Sequence, residues 1–358
     1  MSVFIIAEAG VNHNGNLSMA YKLVDAAKNA GANAIKFQIF QSENLVTHKL
    51  LKASYQQKNQ SNSDSQFSML KKLEMPFRNF KKLKLYSDKK GIQFLSTAFD
   101  NESLDYLINT ISVQKLKISS GDLSNAPLLL RSAQSKKDII LSTGMSNLDE
   151  IKQALGVIAF GLTSSKKPSI VGFKNAFSSE VGQNALKQKV TLLHCTSEYP
   201  APYKEINLNA ITTIMDKFKI PVGYSDHSQG RVASIAAVTL GANILEKHFT
   251  LDRSLEGPDH KASLEPKELM KFVKDIRIAE ISLGSSIKEA QPSELENIQF
   301  SRRFIVASKD ISIGDVFTEE NLTLKRAGNG INPINYWELI GKRSNKSYKM
   351  DDSIHFKV

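Results

Sequence analysis

Apolar residues in this chain fall into short blocks, separated by longer stretches in which they recur every three or four positions. Eight blocks stand out: Phe4–Ala9, Ala34–Phe40, Gln93–Ala98, Lys115–Ser119, Ile139–Ser142, Val190–His194, Pro221–Ser225 and Ile244–Phe249. Most are bounded by Gly, Asn, Ser or Asp, and each reads as a strand buried on both faces. Amphipathic segments such as Leu17–Ala30, Glu150–Ala159 and Gly230–Leu240 lie between them and read as helices; the last is Ala- and Val-rich, suited to close packing on a sheet. Eight β-α repeats predict an α/β fold, a closed (β/α)8 TIM barrel over residues 1–283. An open doubly wound sheet is the alternative, but no Gly-x-Gly-x-x-Gly follows the first strand.

Two stretches break the rhythm. Leu45–Asn79 is long, polar and follows the second strand, where a barrel places an active-face loop, so a lid is expected there. Gly161–Lys189 delays the sixth strand and should decorate the opposite rim. Residues 284–300 are polar and strand-free, a linker with some helix. Residues 301–358 then form a small separate unit, with Phe304–Ala307 strand-like and Trp337 the single tryptophan.

Composition narrows the class. The chain has 358 residues, 41% of them hydrophobic and 23% charged, as a globular protein requires. Lys and Arg number 47 against 36 Asp and Glu, a net charge of +11 that suits an anionic partner such as a phosphorylated small molecule. The basic stretch Lys71–Lys90 carries no nucleic-acid-binding motif and reads as a solvated helix face, so no nucleic acid is expected as partner. No long uncharged apolar run is present, so neither is a membrane span. The start Met1-Ser2-Val3-Phe4 lacks a basic leader, and the single Cys195 excludes a disulfide framework or a Cys-rich zinc site. A cytoplasmic enzyme is the expectation.

In a barrel, chemistry gathers at the C-terminal strand ends, and those ends are polar here. Glu8 closes the first strand; Lys36 and Gln38 alternate on the second; Ser96-Thr97 ends the third. Lys117 and Ser119-Ser120-Gly121-Asp122 follow on the fourth, and Ser142-Thr143-Gly144 on the fifth. His194 through Tyr199, Ser225 through Ser228, and Glu246-Lys247-His248 complete the set. Buried Lys36 and Lys117 need anions. Two inward lysines among hydroxyls suit a phosphate and a carboxylate; the bland alternative is a pair of internal bridges to Glu8 and Glu246. Ser142-Thr143-Gly144 is either a tight turn or a set of backbone N–H groups offered to an oxyanion. His227 and His248 end consecutive strands and could share a divalent metal of middle softness, with water and substrate supplying the other ligands, or simply be hydrogen-bonded rim histidines. His13 and His194 read as structural.

Several of these segments carry a resemblance. Ile6-Ala7-Glu8-Ala9-Gly10-Val11-Asn12-His13-Asn14-Gly15 resembles the opening motif of the bacterial sialic acid synthase family. Ile35-Lys36-Phe37-Gln38, His194-Cys195-Thr196-Ser197-Glu198-Tyr199-Pro200, Tyr224-Ser225-Asp226-His227, Glu246-Lys247-His248-Phe249-Thr250, Gly257-Pro258-Asp259-His260 and Lys325-Arg326-Ala327-Gly328-Asn329-Gly330 follow in the family's order. The resemblance implies a barrel joined to a small antifreeze-like (SAF) domain. It implies condensation of phosphoenolpyruvate with an N-acylated amino-sugar to a nine-carbon 2-keto acid and phosphate. The Ala9-Gly10-Val11 and Pro221-Val222-Gly223-Tyr224 variants are most like the branch making N,N′-diacetyllegionaminic acid, with neuraminic and then pseudaminic acid synthesis as alternatives. The chain departs from the family at Ser120-Gly121-Asp122, where Ser-Gly-Glu is usual, at Ile39 after Gln38, and at Ala327 after Arg326.

Carried over residue by residue, the resemblance gives the metal, Mn²⁺ or Mg²⁺, to His227 and His248. Lys36, Gln38, Thr97, Lys117, Ser120 and Ser142 would hold the phosphate and carboxylate. Glu8, with Asp122 as second candidate, would manage a proton or grip a sugar hydroxyl. Ser197, Tyr199 and Ser225 would line the pocket, and Asp259 would contact the sugar. Arg326 would reach the N-acyl group in the partner's barrel, which implies a domain-swapped homodimer. Enzymes of other classes, a pyruvate aldolase using a metal or a Lys36 or Lys117 Schiff base, would need no phosphate pocket. A non-enzymatic glycan-binding protein would not need the polar strand ends.

Overall fold

The computed structural model describes residues 2–52 and 65–357. Two compact units form, Met1–Gly284 and Ser285–Val358. In the first, β1 (Phe4–Gly10), β2 (Ala34–Ile39), β3 (Gln93–Ala98), β4 (Lys115–Ile118), β5 (Asp138–Ser142), β6 (Val190–Cys195), β7 (Val222–Asp226) and β8 (Ile244–His248) close in sequence order into a parallel barrel. β1 pairs with both β2 and β8, and its register shifts between Glu8 and Gly10.

The crossover helices are α1 (Leu17–Asn29), α2 (Ser42–Leu45), α3 (Gln66–Leu73), α4 (Phe77–Lys90), α5 (Asn101–Asp105), α6 (Ala126–Gln134), α7 (Leu148–Thr163), α8 (Ile170–Ser178), α9 (Glu180–Lys189), α10 (Ala210–Phe218), α11 (Val232–Thr239) and α12 (Pro266–Leu283). Local chemistry fixes their starts. The Asn16 side chain accepts the Met19 N–H at α1, and Asn147 with Glu150 forms a capping box at α7. The expected lid segment begins where α2 ends and contains α3 and the start of α4; its residues 53–64 lie outside the described residues. The inserted stretch after α7 becomes α8 and α9, where Phe173 meets Phe160 of α7 edge-on at 5.3 Å. Lysines of the basic stretch are largely exposed on α3 and α4, and several pair with carboxylates such as Glu43, Asp88 and Asp25.

Strand alternation builds two cores. Outward residues such as Ile5, Ile35, Leu116, Ile139, Leu192 and Leu245 pack against the helices in one large cluster. Inward residues Ile6, Ala34, Leu95, Ile140, Leu193 and Ile244, with Phe4 against them, form a separate apolar plug inside the barrel. The plug is crowded enough that β7 must contribute a glycine: a Cβ on Gly223 would fall 2.4 Å from the Ile244 carbonyl oxygen and 2.7 Å from Leu193 Cδ2.

The second unit opens with α13 (Pro292–Ser301), followed by the antiparallel pair β9 (Arg303–Ala307) and β10 (Leu322–Arg326) and the short α14 (Tyr336–Leu339). Ile305, Ala307, Ile311, Phe317, Leu322, Leu339, Tyr348 and Ile354 make its own small core. Arg326 ends β10 and is exposed, opposite Arg303. Trp337 is exposed.

Candidate active site

Two residues further along each strand from the plug, the inward positions turn from apolar to charged. Glu8 follows Ile6, Lys36 follows Ala34, and Glu246 follows Ile244. Lys117 joins them from β4, and all four are buried. Lys36 Nζ lies 2.8 Å from Glu8 Oε1 and 3.6 Å from Glu246 Oε2; Lys117 Nζ lies 3.6 Å from Glu246 Oε1. The internal Lys–Glu bridges are therefore present. They do not exhaust the tier: Lys117 also donates to Ser142 Oγ at 2.7 Å and Lys36 to Thr97 Oγ1 at 3.0 Å. Gln38 Nε2 is 3.3 Å from Glu8 Oε1, and Ser225 Oγ donates to Glu246 Oε1 at 2.8 Å. Among the described residues, Glu8 Oε2 and Glu246 Oε2 are buried with no hydrogen-bond partner.

The tier splits its own protonation. Burial alone would lower Lys36, but Glu246 and Glu8 outweigh it and hold the ammonium above the usual lysine value. Burial dominates at Lys117, which is pushed below it. Burial would raise Glu246, yet Lys117 and Lys36 bring it well below the usual carboxylate range. Glu8 goes the other way: burial, with Glu246 adding to it, raises its carboxyl against the pull of Lys36. Two carboxylates pushed apart in this way can take different proton-handling parts.

Above the tier opens a cavity of about 440 Å³. Glu8, Lys36, Gln38, Thr97, Lys117, Ser120, Ser142, Ser197, Tyr199, Ser225, His227, His248 and Asp259 all line it. Thirteen of the fifteen residues expected from the sequence thus converge on one space. Asp122 is not among its lining residues; its carboxylate accepts from Asn125 Nδ2 at 3.1 Å. Arg326 belongs to the other unit.

The oxyanion reading of Ser142-Thr143-Gly144 is corrected. The Thr143 N–H donates to the Leu193 carbonyl at 2.9 Å and the Gly144 N–H to Ser120 Oγ at 2.9 Å, so both donors are spent, and α7 begins only at Leu148. Position 144 is crowded: a Cβ there would fall 2.4 Å from Ser197 Oγ and push that hydroxyl aside. Ser120 also lies 3.1 Å from Cys195 Sγ, which burial keeps protonated by raising its thiol.

His227 and His248 face each other with ring centroids 5.6 Å apart. His227 Nδ1 donates to the Thr196 carbonyl at 2.7 Å, which leaves the lone pair on Nε2. His248 Nδ1 is buried without a hydrogen-bond partner among the described residues. Burial lowers His227 to about 4 and His248 well below the usual histidine value, so both imidazoles are neutral at physiological pH. Neutral rings with available lone pairs fit a divalent ion. Among the described residues no group of three or more His, Cys, Asp or Glu side chains is arranged to hold one. The donor set is thus two imidazoles, with room for water and substrate oxygens.

Behind the histidines, outward-facing Asp226 and Lys247 pair at 3.1 Å, and Asp226 also accepts from Ser228 and Ser234. Asp259 is fixed by distant motifs meeting. Asn12 Nδ2 donates to Ser263 Oγ at 3.0 Å, Ser263 Oγ donates to the Asp259 carbonyl at 2.7 Å, and His260 Nε2 lies 3.2 Å from Asn14 Oδ1. Burial, and then the charge of Glu8, raises the Asp259 carboxyl to about 7. His13 accepts the Gly15 N–H and His194 bonds the Ile206 carbonyl, structural parts as expected.

Sequence reasoning gave Glu246 no catalytic or binding part beyond a bridge to the lysines, although its spacing of two from His248 puts both on one strand face. It also missed an apolar wall around Phe40, Leu45, Val46, Met69, Leu70 and Phe99.

Comparison with known proteins agrees with this architecture. Residues 23–288 match the NeuB family and residues 302–357 the SAF domain. The chain is 47% identical over 350 residues to the N,N′-diacetyllegionaminic acid synthase of Campylobacter jejuni subsp. jejuni serotype O:2, covering 98% of each. It is 43% identical to the protein of the same name from Legionella pneumophila, covering 96% of this chain and 90% of that one. The crystal structure of the N-acetylneuraminic acid (sialic acid) synthetase of Leptospira borgpetersenii serovar Hardjo-bovis, in complex with citrate, matches with TM-score 0.68 at 37% identity, over 84% of this chain and 91% of that one.

Proposed function

The chain belongs to the NeuB family of sialic acid synthases, and on that premise we propose that it condenses phosphoenolpyruvate with 2,4-diacetamido-2,4,6-trideoxymannose to N,N′-diacetyllegionaminic acid and phosphate. The observation that carries this reading is the buried tier of Lys36, Lys117, Glu8 and Glu246 beneath a polar cavity.

Phosphoenolpyruvate brings a phosphate and a carboxylate. Lys117 with Ser142 and Ser120, and Lys36 with Thr97 and Gln38, receive those anions, each lysine loosening its hold on a glutamate as it does so. The enol carbon C3 attacks the aldehyde carbon of the open-chain sugar, forming the new carbon–carbon bond and an alkoxide while C2 becomes cationic. Water adds to C2 and loses a proton, and the C2–O bond to phosphate breaks, leaving the 2-keto acid. Glu8, with its raised carboxyl, is placed to deliver or take up a proton at the alkoxide or the water. Asp122, turned to Asn125, is the reserve candidate. Asp259, Tyr199, Ser197 and Ser225 orient the sugar. His227 and His248 would hold a divalent metal, Mn²⁺ first and Mg²⁺ second, which when bound supplies Lewis-acid polarisation of a carbonyl.

Exposed Arg326 offers a rigid fork of donors to an amide carbonyl. In this reading it completes the sugar site of a second copy, in a domain-swapped homodimer working in the cytoplasm. No described helix is long and apolar enough to cross a membrane.

Phosphate release from phosphoenolpyruvate, measured against a panel of amino-sugars, tests the proposal. A preference for the trideoxy sugar over N-acetylmannosamine supports it. Preference for N-acetylmannosamine would make this a neuraminic acid synthase, and release with none would overturn the reaction.

A further inference from the structure

Above the charged tier the cavity has two unlike sides. Over β4 to β8 the lining is mostly polar, with Ser120, Ser197, Tyr199 and Asp259. Over β1 to β3 it is apolar: Phe40 and Phe99 follow β2 and β3, Leu45 and Val46 close α2, and Met69 and Leu70 come from α3. These side chains are one cluster, with Val11, Phe40, Met69 and Leu73 buried and Leu45, Leu70 and Phe99 packed on them. The cluster is separate from both barrel cores, and its edge is part of the cavity surface. Gln66, half-buried at the start of α3, also lines the cavity beside this wall.

We infer that this apolar wall is a specificity element, receiving the 6-methyl group and the 4-acetamido methyl of the sugar. The inference rests on the phosphoenolpyruvate condensation proposed above and adds the residues that read the substituents. The reacting aldehyde must lie next to phosphoenolpyruvate on the tier, so the far carbons of the sugar point away from it. At C4 and C6, N-acetylmannosamine carries hydroxyls, whereas the trideoxy sugar carries an amide-borne methyl and a bare methyl. Against Leu45, Val46, Leu70 and Phe99 a hydroxyl gives up water without gaining a partner, while a methyl group gains contact. Gln66 can pair with the 4-amide, whose polar atoms would otherwise be stranded there. An apolar pocket typically distinguishes substrates differing by one small group about ten- to two-hundredfold.

Val46→Thr keeps the shape of the side chain and adds a hydroxyl; Leu70→Gln adds an amide. Both positions are half-buried, so both variants should fold. The measurement is the ratio of kcat/KM for the trideoxy sugar to kcat/KM for N-acetylmannosamine, with phosphoenolpyruvate saturating, in wild type and each variant. The expected result is a ratio lowered about fivefold or more in each variant, with part of the change coming from improved use of N-acetylmannosamine. A ratio within twofold of wild type in both variants, while the trideoxy sugar still turns over, would overturn the wall as reader. A wild-type protein that releases no phosphate with either sugar would overturn the parent reaction instead, and the inference with it.

Discussion

The Lys36 ammonium stands 2.8 Å from Glu8 Oε1, and both side chains are almost completely withdrawn from water. Such a pair is costly to break on one side, at about 3–5 kcal/mol, because the survivor keeps an uncompensated charge. Glu8→Gln avoids much of that cost: the amide retains a hydrogen-bonding oxygen, and Lys36 keeps Glu246 at 3.6 Å. The expected outcome is kcat reduced about 10²- to 10⁴-fold, with a smaller effect on the Michaelis constant for phosphoenolpyruvate. Steady-state kinetics alongside a thermal melt check this; kcat near wild type would remove Glu8 from proton handling.

Lys117 differs from Lys36 because burial outweighs its partners and lowers its ammonium. Lys117→Met removes a charge the folded protein holds reluctantly, and Glu246 keeps Lys36 at 3.6 Å and Ser225 at 2.8 Å, so the melting temperature should change little. The Michaelis constant for phosphoenolpyruvate should rise at least tenfold. Calorimetry and initial rates separate the two effects, and unchanged phosphoenolpyruvate affinity would make Lys117 an internal ion-pair partner only.

A chelator should abolish activity and Mn²⁺ should restore it, because two imidazoles alone hold an ion weakly and exchangeably. His248→Ala and His227→Ala should each lose Mn²⁺ binding, read by the loss of free-ion depletion in a spin-resonance titration. Full activity of chelator-treated His248→Ala would exclude metal assistance.

Asp259 makes stability depend on pH. Its folded value of about 7 lies above the ordinary 3.8, so between those values the folded chain keeps a proton that the unfolded chain releases. Its contribution is complete below about pH 4 and is lost as pH rises through about 7, a change on the order of a few kcal/mol. Asp259→Asn removes this slope. The melting temperature of the variant minus that of wild type should therefore grow from pH 5 to pH 8; parallel curves would contradict the assignment.

Arg326→Ala should raise the Michaelis constant for the sugar or lower kcat and leave phosphoenolpyruvate binding nearly intact. Mixing inactive His248→Ala with inactive Arg326→Ala protein should restore activity once subunits exchange, since one site in the mixed dimer is whole. Verified exchange with no return of activity would confine the arginine to its own chain.

The barrel was legible in the sequence because the helix side of each strand is mostly apolar, interrupted only near the C-terminal ends by residues such as Asp226 and Lys247. Gln93–Ala98 matches β3 end to end, and other bounds differ by a residue or two. At β5 the strand starts earlier, at Asp138, which Lys115 and Lys189 hold in place. The polar strand ends were legible for the same reason, since alternation puts Lys36 and Gln38, or Ser225 and His227, on one face. Bridges from the lysines to Glu8 and Glu246 were open as one alternative, but that Glu246 stands within 3.6 Å of both lysines depends on barrel closure, and the capture of the Gly144 N–H by Ser120, which depends on two loops meeting, was not legible. The apolar wall escaped notice because Phe40, Met69 and Phe99 are about thirty residues apart, at the ends of two strands and inside a stretch read as loop.

The interior layer of Ile6, Leu95, Ile140, Leu193 and Ile244, tight enough to demand glycine at 223, stoppers the barrel from below. The cavity above the lysine tier therefore stands on an apolar floor. In the reaction proposed above, phosphoenolpyruvate on the tier would then have to enter before the sugar that lies over it. The order of substrate arrival would thus follow from five aliphatic side chains that do not line the cavity at all.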